Sequence, residues 1–324
     1  MSIAFWANFE FYTLKKVRYT FHMENYFIGT IIKEYRTRLK ISQEELCFGL
    51  CAVSTLSRIE SGAQVPGRKL VEALFSKMGM NKSVPVTKVD FQRENIEYKV
   101  NALVANGDFK IFDLLEEYKN CGDGLDTLET QFYLFFKTMA EDFFNHDGKK
   151  ALRKYEEALK LSIKDYELHS LPHARLLTKT ELLILNNISR TFYFIGEKEM
   201  AIELMEFLRA YFEKGIMSEE EKAKNYPVIL FNLENWYGLR GESGDYEKTL
   251  TYCDIALDCC IRYGKLVLFP FHLFNKGCML VKLGAISDGK ECFEDSFTIL
   301  NRMKKFEDIT YGKKWLKENL GIDM

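Results

Sequence analysis

The stretch ISQEELCFGLCAVSTLSRIESG, residues Ile41 to Gly62, contains the signals for two short helices that meet at a tight turn. Ser42 and Glu45 stand three residues apart. This is the spacing of a capping box, in which the serine side chain satisfies a free backbone amide of a new helix. The spacing predicts a helix that begins at Gln43 and ends near Leu50.

A second helical pattern follows at once. Ala52, Leu56 and Ile59 recur at helical spacing. Ser61-Gly62 is a typical helix end, because glycine adopts the left-handed conformation without strain. The two helices are therefore predicted to be joined by only a few residues.

The segments on either side complete a small helical domain. Apolar residues at helical spacing, with basic residues between them, predict an amphipathic helix from Phe27 to Leu39. A further helical pattern runs from Leu70 to Met78 and is closed by Gly79. We therefore place a domain at residues 23–80, preceded by an extension of residues 1–22 that lacks the features of a signal peptide.

The first quarter of the chain carries a net positive charge, whereas the rest is net negative. The whole chain carries a net charge of −2, but the first 80 residues hold 11 Lys and Arg against 7 Asp and Glu, or +4. The remaining residues hold 34 against 40, or −6. Because a phosphate backbone attracts positive charge, this asymmetry favours contact between the N-terminal domain and double-stranded DNA.

The segment Ile41 to Gly62 resembles the helix-turn-helix of the phage-repressor and Xre superfamily, whose usual pattern is close to lSqeeLa…lgvs.stiSriErG. The resemblance implies a five-helix, lambda-repressor-like domain in which a recognition helix, residues 53–61, enters the major groove. Arg58 is the strongest candidate for a guanine contact, because its guanidinium can donate two hydrogen bonds to O6 and N7. The residues that match DNA-facing positions of the superfamily are Gln43, Ser54, Thr55 and Arg58.

Three of these residues have a structural alternative. Arg58 can instead pair with Glu60 or with a solvent-facing carboxylate, and Ser54 and Thr55 can instead cap the turn before the recognition helix. Exposed basic residues that can meet phosphates are equally typical of a solvated surface. The residues of this kind are Arg36, Arg38, Lys40, Arg68 and Lys69.

Beyond a linker predicted at residues 81–90, the pattern changes to paired helices. Turn glycines recur at intervals of 41 to 48 residues, at Gly107, Gly148, Gly196, Gly241 and Gly284. Amphipathic second helices are predicted at residues 109–118, 151–161, 201–212, 246–257 and 289–300. Such a period is typical of a helical solenoid, so we expect about five helix pairs over residues 91–305 and a capping helix at 306–324.

Asparagine recurs at one position of these repeats. Asn187, Asn232 and Asn275 each stand nine residues before a turn glycine, with Arg190 and Asn235 nearby. Because asparagine is a poor residue for a helix interior, the row suggests amides that clamp the backbone of an extended peptide. The alternative is that these side chains bond neighbouring helices or loop carbonyls within the solenoid.

A helix-turn-helix followed by tetratricopeptide-like repeats resembles the Rgg and PlcR (RNPP) family of Gram-positive regulators. The resemblance implies a right-handed α-solenoid that forms a homodimer and binds a short secreted signalling peptide on its concave face. The alternative function is a DNA-tethered interaction module, whose repeats bind a partner protein instead of a peptide.

Composition and motifs narrow the remaining classes of function. Apolar residues make up 47% of the chain, only five prolines occur, and no apolar run is long enough to cross a membrane, so we expect an all-α cytoplasmic protein. The eight cysteines form no Cys-x-x-Cys pair and are interpreted as reduced core residues. The sequence contains no phosphate-binding glycine loop, HExxH or nucleophile motif, so we expect no catalytic site, metal or cofactor.

Overall fold

The computed structural model describes residues 25–80, 88–106, 108–173, 176–214, 217, 219–239, 244–264 and 266–324. The extension predicted at residues 1–22 lies outside the described residues, as do residues 81–87 of the linker and the turn glycines Gly107 and Gly241. Residues 88–90 of the predicted linker begin a helix, in which Asp90 stands in the first turn, where a negative charge stabilises the helix dipole.

The described residues are all helical apart from turns and connections, which confirms the predicted fold class. The helices are α1 (Asn25–Arg38), α2 (Gln43–Cys47), α3 (Val53–Glu60), α4 (Arg68–Lys77), α5 (Lys88–Asn106), α6 (Ile111–Asn120), α7 (Thr127–Asn145), α8 (Gly148–Lys160), α9 (Lys179–Ile195), α10 (Lys198–Glu213), α11 (Glu219–Glu234), α12 (Tyr246–Tyr263), α13 (Phe269–Lys282), α14 (Ile286–Arg302) and α15 (Phe306–Leu320). A π-helical turn, Asn235–Leu239, follows α11. No helix in the described ranges is long and apolar enough to span a membrane.

Helices α1 to α4 form the helix-turn-helix domain, and α5 is the fifth helix along the chain. The side chain of Ser42 accepts a hydrogen bond from the backbone N–H of Glu45 at 3.1 Å, so α2 begins where the spacing predicted. It ends at Cys47, three residues before the predicted end, because Phe48 leaves the helical conformation and Gly49 adopts a φ of +72°. The core contains apolar side chains from all four helices, among them Ile32, Leu46, Leu56, Ile59 and Leu74.

The repeats form helix pairs within two compact units, Met1–Ser218 and Glu219–Met324. In the first unit the pairs are α5 with α6, α7 with α8, and α9 with α10; in the second they are α11 with α12 and α13 with α14, and α15 follows. All five predicted second helices are present, at α6, α8, α10, α12 and α14. Capping boxes at Asp126–Glu129 and Thr178–Glu181 fix the starts of α7 and α9.

Candidate functional site

Helix α3 has one buried and one exposed face. Leu56 and Ile59 are fully buried in the domain core. The opposite face consists of exposed side chains at positions three and four apart, as helical periodicity requires. Its members are Val53, Ser54, Ser57 and Arg58, and Thr55 is half-buried beside them.

A buried carboxylate at the end of α3 ties this helix to α1 and α2. Glu60 is 6% exposed and accepts two hydrogen bonds from Arg36, from Nε at 2.6 Å and from Nη2 at 2.9 Å. Gln43 Nε2 donates a third hydrogen bond to Glu60 at 2.8 Å. The Arg36 guanidinium also donates to the Ile41 carbonyl at 3.0 Å. The network therefore fixes the position of α3 relative to α1 and α2.

The same network determines the charge of Glu60. Burial alone would raise the pKa of this carboxyl, but the hydrogen bonds from Arg36 and Gln43 and the charge of Arg36 outweigh it, so the pKa lies below its ordinary value. The charged form of Glu60 is accordingly the form that the fold stabilises.

Within the ranges that it describes, the structure does not contain the alternative contacts considered for Arg58, Ser54 and Thr55. Glu60 is bonded to Arg36 and Gln43, and no ion pair in the described part of the chain involves Arg58. The N-cap of α3 is Ala52, without a side-chain cap, so Ser54 and Thr55 do not perform the capping role. Gln43 begins α2 as predicted, but its amide is engaged by Glu60.

Basic residues of the domain fall into two groups. Arg68 is 2% exposed and pairs with Glu72 and Glu97, at 2.8 and 2.7 Å. Lys69 also pairs with Glu97, at 2.7 Å. Arg36, Arg68 and Lys69 are thus paired with carboxylates of their own chain, whereas Lys33, Arg38, Lys40 and Arg58 are exposed.

The segment between α8 and α9 packs against the core of the helix-turn-helix domain. Sequence analysis did not predict this contact. Leu176 is 2% exposed and belongs to the hydrophobic core of the domain. The backbone N–H of Lys179 donates to Ser76 Oγ at 2.6 Å. The buried ammonium of Lys77 donates to the carbonyl of Phe48 in the turn between α2 and α3. The contacts of Leu176 and Lys179 join the DNA-binding domain to the repeats within the first unit, and the hydrogen bond from Lys77 ties α4 to the turn inside the domain itself.

In the first unit, the predicted peptide-binding residues lie on α9. Asn187 is buried, and its amide nitrogen donates to the Leu183 carbonyl of the same helix at 2.9 Å. Its oxygen accepts from Arg190 at 3.5 Å. Burial lowers the pKa of Arg190, an effect that the nearby Tyr155 and Asp142 oppose.

In the second unit, the equivalent asparagines have different environments. Asn275 on α13 is 2% exposed and donates to Glu234 at 2.9 Å. Asn232 on α11 is 3% exposed, and its amide nitrogen has no hydrogen-bond partner among the described residues. Asn235, in the π-helical turn, donates to the Phe231 carbonyl at 2.6 Å. Thus, of two equivalent asparagines in the second unit, Asn275 has a hydrogen-bonded amide nitrogen and Asn232 does not.

His272 completes a buried polar cluster that sequence analysis did not find. Its Nδ1 lies 2.8 and 3.0 Å from the two carboxylate oxygens of Glu234, and both side chains are fully buried. Asn275 donates to the same carboxylate. The only signal in the sequence is the i,i+3 spacing of His272 and Asn275 on one helix face, and it does not reveal the partner on another helix.

The fold of α1 to α4 and the exposed face of α3 define a helix-turn-helix DNA-binding domain, and the comparison with known families agrees. The helix-turn-helix family model matches residues 32–81. A search of curated proteins found no match.

Solved structures of similar fold include two of PlcR from Bacillus thuringiensis. One, in complex with the peptide PapR7 and DNA, is 19% identical, with a TM-score of 0.54 over 89% of this chain and 99% of that chain. The other, the apo form, is 19% identical, with a TM-score of 0.55 over 88% of this chain and 98% of that chain. The apo competence regulator ComR from Streptococcus vestibularis is 18% identical over 86% and 93% of the two chains, with a TM-score of 0.44.

Proposed function

We propose that this chain is a sequence-specific transcriptional regulator that binds double-stranded DNA as a homodimer and responds to a short signalling peptide bound by its repeats. The observation that carries the DNA-binding part is the exposed face of α3. Arg58 stands on that face without an internal carboxylate partner in the described residues, while Glu60 is bonded to Arg36 and Gln43. A side chain that makes no ion pair within its own domain is available to a base edge.

The proposal of a homodimer is supported by the way in which helix-turn-helix dimers bind DNA. Two such domains read half-sites about 34 Å apart, one turn of the double helix, and the operator then mirrors the twofold symmetry of the protein. The similarity in fold to PlcR, whose structure contains a peptide and DNA, supports the proposal that this chain also binds DNA and a peptide.

The peptide-binding part is supported by the amide of Asn232. A buried donor without a partner is costly, so such a group is commonly satisfied by a ligand or by water. An extended peptide offers backbone carbonyls of the required kind. We therefore propose that Asn232 contacts a peptide backbone within the second unit. Contacts by the other residues named from the sequence stay predictions: Asn187 and Arg190 in the first unit, and Asn235 and Asn275 in the second.

The test begins with the full chain and a library of random DNA duplexes. We expect the bound fraction to converge on an inverted repeat, and sedimentation of the complex to give two protein chains for each duplex. Failure of the library to converge would contradict sequence-specific binding.

The peptide response is tested on the selected duplex with synthetic peptides encoded by small reading frames beside the gene. We expect one peptide to change the apparent Kd, and its scrambled version to have no effect. If no such peptide alters binding and a partner protein does, the DNA-tethered interaction module replaces the peptide sensor.

A further inference from the structure

Val53 is an apolar side chain exposed on the surface that faces DNA in the proposed function. It is the first residue of α3, and its exposed fraction is 37%. It lies next to Ser54 and four residues before Ser57, at the edge of the exposed face, and it is not among the residues that pack in the domain core. Its side chain therefore stands outside the core that the other apolar residues of α3 build.

The position of Val53 matches a particular chemical group in the major groove. Each base pair presents hydrogen-bonding groups there, and thymine alone adds an apolar group, its 5-methyl. Side chains near the N-terminus of a recognition helix meet the base edges most directly. Serine hydroxyls and the Arg58 guanidinium suit the polar groups of the groove, whereas the branched apolar side chain of Val53 suits a methyl group.

The separation of Val53 from Arg58 limits where that thymine lies. Five residues of α-helix rise about 7.5 Å, and successive base pairs of DNA are stacked about 3.4 Å apart. A helix in the groove with Arg58 on a guanine therefore brings Val53 within about three base pairs of it.

We propose that Val53 is a specificity-determining residue that reads the 5-methyl group of a thymine within about three base pairs of the guanine bound by Arg58. This inference rests on the proposed function, because it requires α3 to enter the major groove. It names the class of sequence that the operator half-site contains: a guanine accompanied by a nearby thymine on the surface read by α3.

The experiment removes the methyl group alone. In the duplex selected by the full chain, each thymine is replaced singly by deoxyuridine, which keeps every hydrogen-bonding group and lacks only the 5-methyl. For the unaltered protein we expect one position in each half-site at which this replacement weakens binding about fourfold, the effect of one buried methyl-sized group. At that position, Val53→Ala should bind the thymine and deoxyuridine duplexes equally.

Val65→Ala is the matched control. Val65 is also an exposed valine of the same domain, with an exposed fraction of 48%, but it lies outside α3, between α3 and α4. This variant should keep the sensitivity to deoxyuridine. Thermal melting of both variants verifies that the domain remains folded.

The outcomes separate the inference from the proposed function. If no sequence is selected, the proposed function fails. If a sequence is selected but no thymine near the guanine shows the methyl effect, or if Val53→Ala keeps that effect in full, the reading of thymine by Val53 is overturned and the DNA-binding function stands. Loss of the effect in Val53→Ala and its retention in Val65→Ala support the inference.

Discussion

Gly49 and Ser162 are in direct backbone contact: a Cβ built on Gly49 would lie 2.2 Å from the carbonyl oxygen of Ser162. Gly49 belongs to the turn between α2 and α3, and Ser162 follows α8 of the repeats. The contact places the turn of the DNA-binding motif against the repeat body. Within the first unit, a displacement of the residues that follow α8 would therefore also displace this turn.

Gly49→Ala should therefore lower stability by more than the left-handed backbone alone explains. The added Cβ overlaps a carbonyl oxygen that belongs to backbone, and overpacking of this kind costs about 1 to 3 kcal/mol. Gly264→Ala is the control, because Gly264 has a similar φ of +65° and open space at the Cβ position. Equal losses of Tm in the two variants would contradict the close contact.

Leu176→Ala should destabilise the helix-turn-helix domain although Leu176 lies nearly a hundred residues beyond its last helix. Removing a buried leucine side chain costs about 2 to 5 kcal/mol. Hydrogen exchange of the α3 amides measures the effect on the domain itself. Leu266→Ala, at a position that is 55% exposed, should leave the exchange unchanged.

The order of helices was predictable because it depends on local signals. The cap at Ser42, the helix end at Gly62 and the period of the turn glycines all act within a few residues or repeat along the chain. Leu176 carries no such signal, since its place in the core depends on contacts between distant segments. Sequence alone therefore predicted the helices of the domain and missed Leu176, which completes its core.

For the candidate site too, the sequence predicted the exposed residues of the motif but not the contacts between helices. Arg58 and Ser54 match a motif of known orientation, and the structure places both on the exposed face of α3. The partner of Glu60 was not predictable, because Arg36 lies 24 residues away and its role depends on how α1 packs against α3. The difference between Asn232 and Asn275 also depends on packing between helices, because the Asn275 amide on α13 donates to Glu234 on α11 and the Asn232 amide nitrogen has no partner among the described residues.

Arg58→Ala should weaken binding to the selected duplex by about 1 to 3 kcal/mol, with a much smaller effect on random duplexes. The physical reason is that a bidentate contact to guanine reads sequence, whereas a phosphate contact does not. Titration of both duplexes by fluorescence anisotropy measures the two affinities. An equal loss on both duplexes would place Arg58 on the backbone.

Glu60→Gln should remove a pH-dependent part of the stability. The pKa of Glu60 is lowered in the folded protein, so its contribution is fully present above the ordinary value of 4.5 and is lost as the pH falls through the folded pKa. The difference in unfolding free energy between the unaltered protein and Glu60→Gln should thus shrink below about pH 4.5. Glu34→Gln removes an exposed carboxylate from α1 and controls for net charge. A difference that stays constant with pH would contradict the assignment.

Asn232→Ala and Asn275→Ala should behave differently despite their equivalent positions in the repeat. Asn275→Ala removes a donor from the buried Glu234, so we expect a loss of about 1 to 3 kcal/mol in stability. Asn232→Ala removes an amide whose nitrogen has no partner in the described residues, so its Tm should not fall by a comparable amount. If Asn232 binds the peptide, that variant should instead lose the peptide-dependent change in DNA binding. A normal peptide response in Asn232→Ala would remove this residue from the proposed site.

The internal pairing of basic residues also affects how binding should respond to salt. Arg36, Arg68 and Lys69 neutralise carboxylates of their own chain, and the buried Lys77 donates to a backbone carbonyl. Each phosphate that a protein neutralises releases condensed counterions and adds about −0.9 to the slope of log K against log salt. Since these four cations are already engaged, the slope should be shallower than the number of basic residues suggests. Discrimination between operator and random DNA should then persist at ionic strengths that abolish a purely electrostatic association.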